Sequence, residues 1–515
     1  MKLVTVSQMR AIEKEADAKG VSYAQLMENA GRGLAEIVHA LGQENGWDTV
    51  TGLVGSGNNG GDALVALTWL AGAGWRTYAY LANRKMDDPL IMRYLEAGGE
   101  IFQFGSDPNL EALNGVLNES AVLMDGLLGT GIKLPLKAEA ALVLAGTRVA
   151  LSKMDTPPFV VAVDCPSGVD CDSGEAAKET VPADLTVTMA AVKQGLLKLP
   201  AFEFLGDLEV VDIGLPEKLD AWSVVKTEIA DWDMVSAFLP ERALASHKGT
   251  FGTAFVIAGS TSYTGAALLA GKAAYRVGAG LVMMAVPEPL HAALSGQIPE
   301  ATWVLLPHEN GFISGQAVSK VLEQLDRATA MLIGPGLGTH SSTKSFVENF
   351  LPAIKIPLVI DADGLRHLVQ IPDWHKKLPV TSVLTPHPGE MLALTGLSRE
   401  EIRSNREVVA ERYAREWGHV IVLKGAFTVI VSPDGRRTTI PVATPALARA
   451  GTGDVLAGLI VGLRAQGLDA FEAAVVGAFI HAQAGLLAAE ELGTTASVLA
   501  SDVLNAVPEV LAELE

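Results

Sequence analysis

The feature that most constrains this chain is a recurring change of period. A short apolar run ends in a glycine-bearing turn, and a stretch with helical spacing follows. Early runs of this kind are TVTGLVG (49–55), RTYAYLA (76–82), AVLMDGLLG (121–129) and FVVAVDCPSG (159–168), with GGDALVALTWLAGAG (60–74) supplying helical spacing between them. Apolar runs bounded by turn residues suit buried strands, and their alternation with helices predicts a parallel sheet with helices on both faces. The rhythm restarts at HKGTFGTAFVIAGS (247–260). A small-residue helix, GAALLAGKAAYRVGAG (265–280), leads into strand-like LVMMAVP (281–287), AMLIGPG (330–336), PLVIDADG (357–364), SVLTPHPG (382–389) and HVIVLKG (419–425). TVIVSPDGRRTTI (428–440) reads as a hairpin about its Asp-Gly, and Ala-rich helices close the chain. The expected fold class is α/β in two domains, 1–214 and 226–515, meeting in a Pro- and charge-bearing stretch near 214–228. No internal repeat or low-complexity tract interrupts them.

Length agrees, since 515 residues suit two to four domains of about 100–200 residues each. The formal charge is −20 with no basic block, which argues against nucleic acid or an anionic membrane surface as partner. Hydrophobic residues make up 49%, enough for large cores. The two cysteines, Cys165 and Cys171, point to a reducing cytoplasm, and the N-terminal segment has no apolar signal core. The charge-free stretch 473–489 contains His481 and Gln483 and is expected to be a buried helix. Glycine, 52 residues against a background of about 7%, is the more telling surplus, because it gathers at the strand-to-helix turns.

GSGNNGGD (55–62) is the first such turn. Its glycines let backbone N–H groups approach a phosphate, and a helix start adds partial positive charge. The competing reading is a plain turn with Asp62 as helix cap. DGLLGTG (125–131) and DCPSG (164–168) carry Asp125 and Asp164 at further strand ends, where ligands of open parallel sheets gather; turn capping is again the alternative. With LMENAG (26–31), VGSGNNGGD (54–62) and DCPSGVD (164–170), residues 1–214 resemble the YjeF N-terminal, NAD(P)H-hydrate epimerase family, whose domain is Rossmann-like. That family interconverts the R and S hydrates of NADH and NADPH at C6 of the nicotinamide ring. The resemblance implies a dinucleotide site made by Asn58, Asn59, Gly60, Gly61 and Asp62 with Gly129, Thr130, Gly131, Ile132, Lys133, Leu134 and Pro135. It also implies Asp164 as the acid/base, and a potassium ion held by Asn59, Asp125 and Ser167, whose oxygen donors suit a hard cation.

In the second half AGTGDVLAG (450–458) puts a tight turn before an apolar run expected to open a helix at Val455, with Asp454 at its mouth. N–H groups there can stabilise a transferring phosphoryl group, and Asp454 is placed to take a hydroxyl proton. There is no GxxxxGK[ST] loop, so this is not a P-loop site. With HKGTFG, GPGLG (334–338), TPHPGE (385–390) and LKGA, residues 226–515 resemble the ribokinase-like superfamily and its YjeF C-terminal NAD(P)H-hydrate dehydratase family. The resemblance implies phosphorylation of the C6 hydroxyl and loss of phosphate. The donor implied is ADP, with magnesium accompanying it. Asp454 is the implied base. Lys424, Gly425, Ala426, Phe427 and Thr428 would hold ADP with Gly451, Thr452 and Gly453, while Ala266, Gly338 and His387 face the hydrate. One departure is 446–450, Ala-Leu-Ala-Arg-Ala, where the family often reads Asn-Met-Ala-Thr-Gly, and it suggests Arg449 near the nucleotide phosphates. The residues alone leave open a vitamin-precursor kinase in the second half and a non-catalytic nucleotide module in the first, as well as ADP against ATP. A homo-oligomer is expected.

Overall fold

The computed structural model describes every residue except 379 and 380, and it separates into two compact units, Met1–Lys226 and Thr227–Glu515. The first is built on seven strands: β1 (Thr49–Val54), β2 (Arg76–Leu81), β3 (Glu100–Gln103), β4 (Val122–Gly126), β5 (Phe159–Val163), β6 (Leu185–Met189) and β7 (Asp207–Val211). All pair in parallel, in the order β3-β2-β1-β4-β5-β6-β7. The order reverses between β1 and β4, so a crevice opens at their carboxyl ends, where such sheets bind ligands. Alternate residues of β4 feed opposite cores. Val122 and Met124 pack into one cluster and Leu123 into the other, as a sheet covered on both faces requires.

Helices α1 (Val6–Ala18), α2 (Tyr23–Asn45) and α3 (Asn58–Gly72) complete the part of this unit that carries function. Helix α3 starts at Asn58, two residues before the helical spacing suggested. Asp62 is therefore inside its first turns and is not its cap; the N-cap position falls on Gly57, whose side makes no capping bond.

The main sheet of the second unit has ten strands: β8 (Thr227–Ile229), β9 (Thr253–Ile257), β10 (Leu281–Pro287), β11 (Thr302–Leu306), β12 (Ala330–Ile333), β13 (Leu358–Ile360), β14 (Val383–Leu384), β15 (Val420–Leu423), β16 (Val429–Val431) and β17 (Arg437–Thr439). Their order is β8-β17-β16-β15-β14-β13-β12-β9-β10-β11, and only the pairs of the β15–β16–β17 meander are antiparallel. The Asp-Gly hairpin expected from sequence is β16–β17. One face is covered by α4 (Thr264–Arg276), α7 (Thr452–Ala465), α8 (Ala470–Glu491) and α9 (Ala500–Leu514); α5 (Pro388–Thr395) and α6 (Arg406–Trp417) belong to the other layer. Helix α8 contains the stretch 473–489 and is mostly buried, because it is apolar nearly all round. Helices α4 and α7 lie unusually close: a methyl group on Gly458 would sit 2.3 Å from the Ala270 carbonyl oxygen. That contact seats the start of α7 against the start of α4.

Candidate active sites

At the carboxyl ends of β1, β4 and β5 the first unit encloses a cavity of about 1580 Å³. Ten of the expected residues line it: Asn58, Asn59, Asp62, Gly129, Thr130, Gly131, Ile132, Lys133, Pro135 and Asp164. Gly60, Gly61 and Leu134 are not on its wall. The two glycines have another reason to be glycine. A Cβ on Gly60 would lie 2.1 Å from the Gly55 carbonyl oxygen, and one on Gly61 would strike Met27. Because α3 has no side-chain cap, the N–H groups of Asn58, Asn59 and Gly60 have no protein acceptor among the described residues and remain available to an anion. Arg84 braces this loop from behind, donating 2.8 Å to the Gly55 oxygen while pairing with Asp88.

Asp164 follows β5 with φ +63°, a left-handed conformation that a non-glycine residue holds only when its surroundings fix it. What fixes it is a set of donors on one oxygen. Oδ1 accepts from Met189 N at 3.0 Å, from Thr188 Oγ1 at 3.1 Å and from the Lys193 ammonium. Lys193 is buried (1% exposed) and donates also to Thr188 Oγ1 and the Met189 carbonyl. Oδ2 has no protein partner among the described residues. The sequence reading missed Lys193, which stands in AAVKQGLL without a glycine motif. A lysine interrupting an apolar run was the only signal available.

Of the three residues proposed for potassium, Asp125 and Ser167 are in direct contact, and Asn59 and Ser167 both reach the Leu128 carbonyl. Asp125 is buried and accepts from Ser167 N at 2.8 Å and Ser167 Oγ at 2.6 Å, and no cationic side chain pairs with it among the described residues. Burial raises its pKa against those bonds. Asn59 donates through Nδ2 to the Leu128 carbonyl at 2.9 Å, which leaves its buried Oδ1 without a partner. A buried amide oxygen without a donor, and a buried carboxylate with no cationic side chain, fit an oxygen-coordinated cation.

In the second unit α7 begins at Thr452, three residues before the expected Val455, with Gly451 as N-cap at φ +92°. The N–H groups of Gly453 and Asp454 have no acceptor among the described residues. The Thr452 hydroxyl is turned inward, to the carbonyls of Leu447 and Arg449. A Cβ on Gly453 would lie 3.5 Å from Lys424 Nζ and 3.8 Å from Asp361 Oδ2, so the anion-receiving turn, the lysine and a buried carboxylate share one spot. Lys424 Nζ contacts Asp361 Oδ1 at 2.6 Å and Glu390 Oε2 at 3.9 Å; burial lowers its pKa, but these two carboxylates outweigh that and hold it above the ordinary lysine value. Asp361 also accepts from Thr385 Oγ1 at 2.7 Å. Burial, reinforced by the neighbouring Asp361 charge, pushes Asp454 up to about 7.

The remaining expected residues surround this point. His387 caps α5: Nδ1 accepts from Gly389 N and Glu390 N, and Nε2 faces Glu390 Oε1 at 3.4 Å. Burial and then the Lys424 charge lower its pKa, so it is neutral at pH 7. Gly338 donates to Asp363 Oδ2, and Ala266 abuts Gly336 in the first turn of α4. Segment 424–428 is held in shape from within, Gly425 and Thr428 bonding each other, and from outside by Arg406. Arg406 donates to the carbonyls of Leu423 at 2.9 Å and Ala426 at 2.5 Å. Asp361, Glu390 and Arg406 were missed from sequence. Arg449 points its guanidinium at the Ala496 carbonyl. Among the described residues no cluster of three or more His, Cys, Asp or Glu is arranged as a metal site.

Comparison with known proteins agrees with this division of chemistry. A family model described as YjeF-related protein N-terminus matches residues 23–195, and one described as NAD(P)H-hydrate dehydratase matches 254–509. A ribokinase-like superfamily protein from Enterococcus faecalis superposes with TM-score 0.50 at 25% identity, over 58% of this chain and 99% of its own. An ADP/ATP-dependent NAD(P)H-hydrate dehydratase from Bacillus subtilis, co-crystallised with ATP and magnesium, is 32% identical over 56% of this chain and 99% of its own, with TM-score 0.48. The bifunctional NAD(P)H-hydrate repair enzyme Nnr of Moorella thermoacetica is 36% identical over 100% of this chain and 97% of its own length. With both halves matched and the relationship running end to end, the chain belongs to the family of bifunctional NAD(P)H-hydrate repair enzymes.

Proposed function

We propose that the protein restores hydrated NADH and NADPH, with residues 1–214 interconverting the R and S hydrates and residues 226–515 dehydrating the S form with ADP. The observation that carries the second activity is Asp454, raised to about 7 at an uncapped helix start beside Lys424. A carboxylate so poised takes the proton of the C6 hydroxyl as that oxygen attacks the terminal phosphoryl group of the nucleotide. The N–H groups of Gly453 and Asp454 face the charge that develops on the transferring group. Lys424 adds a fixed positive charge, and 424–428 with 451–453 hold the nucleotide. Ala266, Gly338 and His387 position the hydrate. Phosphate then leaves C6, a proton leaves C5, and the C5=C6 double bond of the dihydronicotinamide is restored. Magnesium bound with the nucleotide supplies charge neutralisation on its phosphates.

In the first unit the free N–H groups of Asn58, Asn59 and Gly60 receive the dinucleotide phosphates. Asp164, ionised against Lys193, presents Oδ2 to the nicotinamide hydrate. Potassium at Asn59, Asp125 and Ser167 would add positive charge behind the loop. Pairing both activities in one chain avoids stranding the R hydrate, which the dehydratase does not use. The reading places the protein in the cytoplasm, supported by two cysteines that are free and buried, and as a homo-oligomer, which sedimentation tests.

The test is an assay of mixed R and S hydrates with ADP and then ATP, following the near-ultraviolet absorbance of reduced nicotinamide. Full conversion requires both activities, once spontaneous epimerisation is subtracted with a chain lacking the first unit. Accumulation of a phosphorylated product without recovered absorbance refutes dehydration.

A further inference from the structure

The cavity of the first unit holds a carboxyl group that the scheme above leaves without chemistry. Asp62 lies in the first turns of α3 at 9% exposure and lines the cavity, yet its side chain makes no hydrogen bond or ion pair with any described residue. The other deeply buried carboxyls of this unit are held. Asp107 accepts from Tyr80 and two backbone N–H groups, and Asp125 from Ser167. Glu13, reaching in from α1, lines the same cavity and is likewise unpartnered among the described residues. A buried carboxyl without donors keeps its proton unless something pays for the charge.

We propose that Asp62 is a second catalytic acid/base of this cavity, acting with Asp164 on C6 of the hydrate and exchanging its proton with Glu13. The proposal rests on the epimerase reading above. Inversion by loss and return of water breaks the C6–O bond and reforms it on the other face of the ring. The ring nitrogen lone pair becomes the N1=C6 bond of an iminium ion, and the hydroxyl departs as water with a proton from a carboxylic acid. Water then adds from the opposite face and gives its proton to a carboxylate. Nothing is oxidised or reduced. The reaction needs one carboxyl that starts protonated and one that starts ionised. Lys193 and two further donors hold Asp164 as the ionised one. Asp62, with no donor, supplies the proton; Asp164 takes one from the adding water and releases it to solvent, and Glu13 restores the proton of Asp62 between turnovers.

The charged surroundings agree. Burial, then Asp164, then Glu13, raise the Asp62 pKa well above the ordinary value, against Lys193 and Arg84, which lower it. Burial and Asp164 raise Glu13 against Lys193 and Arg10. Arg10 and Lys14 of α1 are the other cations of α1 on this wall.

The experiment uses the full chain with a single R hydrate, separating the epimers chromatographically and subtracting the enzyme-free rate. Asp62→Asn is expected to lower kcat for epimerisation at least about 100-fold, the scale of general acid catalysis, with KM little changed and S-hydrate dehydration retained. A wild-type kcat, or a change in KM alone, overturns the proposal. In wild type the epimerisation rate falls as pH rises and Asp62 loses its proton. Glu13→Gln removes a negative neighbour, so this fall moves to lower pH; an unmoved profile overturns the exchange with Glu13, and this variant serves should Asp62→Asn fail to fold. Turnover in ¹⁸O-water should place ¹⁸O at C6, and retention of the original oxygen overturns the acid step. Wild-type turnover no faster than the enzyme-free rate overturns the epimerase reading, and this proposal with it.

Discussion

Asp454 at about 7 makes the dehydratase sensitive to pH in a range where an ordinary aspartate is silent. The hydroxyl proton is taken by the ionised form, so the rate rises with pH through this value. About one-eleventh of the groups are ionised at pH 6 and about ten-elevenths at pH 8, so kcat/KM for the S hydrate rises about tenfold between them. An aspartate at its ordinary value, about 3.9, would give a flat profile there. The chief neighbour raising it is Asp361, whose Oδ2 lies 3.8 Å from the Cβ position of Gly453, the preceding residue. Asp361→Asn removes that charge and frees Lys424, its 2.6 Å partner, to stabilise ionised Asp454. Both effects act in the same direction. A unit charge at such range in a partly screened site is worth about 1–3 kcal/mol, so the acidic limb should move down by about one to two pH units. The assay is S-hydrate dehydration at saturating ADP from pH 5 to 9. The phosphates of ADP titrate as well, but identically in both proteins, so the difference belongs to the enzyme. A flat wild-type profile, or a limb that Asp361→Asn leaves in place, refutes the reasoning.

Other expectations follow from the same geometry. Asp454→Asn should reduce dehydration at least about 1,000-fold and spare epimerisation, whereas Asp164→Asn should stop turnover of the R hydrate and spare dehydration of the S; assays with single epimers decide both. Arg406→Ala removes two charge-assisted bonds to the 423–426 backbone and should weaken ADP binding about tenfold, read by calorimetry; unchanged affinity dismisses Arg406 as the support of that segment. Replacing potassium with a large organic cation, or Asp125 with Asn, should slow epimerisation and leave dehydration intact, and equal loss of both activities argues against the assignment. Arg449→Ala tests whether this residue leaves the Ala496 carbonyl for the nucleotide; an unaltered ADP affinity removes it from the phosphate site.

Much of the architecture was legible because the strands that build the sites are buried on both faces and announce themselves as apolar runs. Strands β1, β2, β4 and β5 and the β16–β17 hairpin were read directly. Strand β7 was not, for its sequence DLEVV alternates polar and apolar residues at the sheet edge with only Val211 buried. The glycine turns located both sites, but the residues that tune them were silent. Lys193, Asp361, Glu390 and Arg406 act through neighbours distant in the chain, so even where they stand in a quoted segment, as Asp361 and Glu390 do, nothing local marks their role. Helix starts were placed late at Asn58 and Thr452 for one reason. Asn, Gly and Thr read as turn residues, yet here the helix begins with them and leaves its first amides bare.

The tight packing around Gly55 and Gly60 has a consequence for how such a loop evolves. Backbone pressed against backbone leaves no slack, so a dinucleotide meets a receptor that is already set and loses little entropy to loop ordering. The same rigidity blocks gradual retuning. An alanine at either position collides with a main chain that cannot step aside, and the variant fails in folding before its ligand preference can be expressed. A change of substrate in this lineage is therefore expected to come from the wall made by side chains, those of α1 among them, while the glycine turn stays as it is.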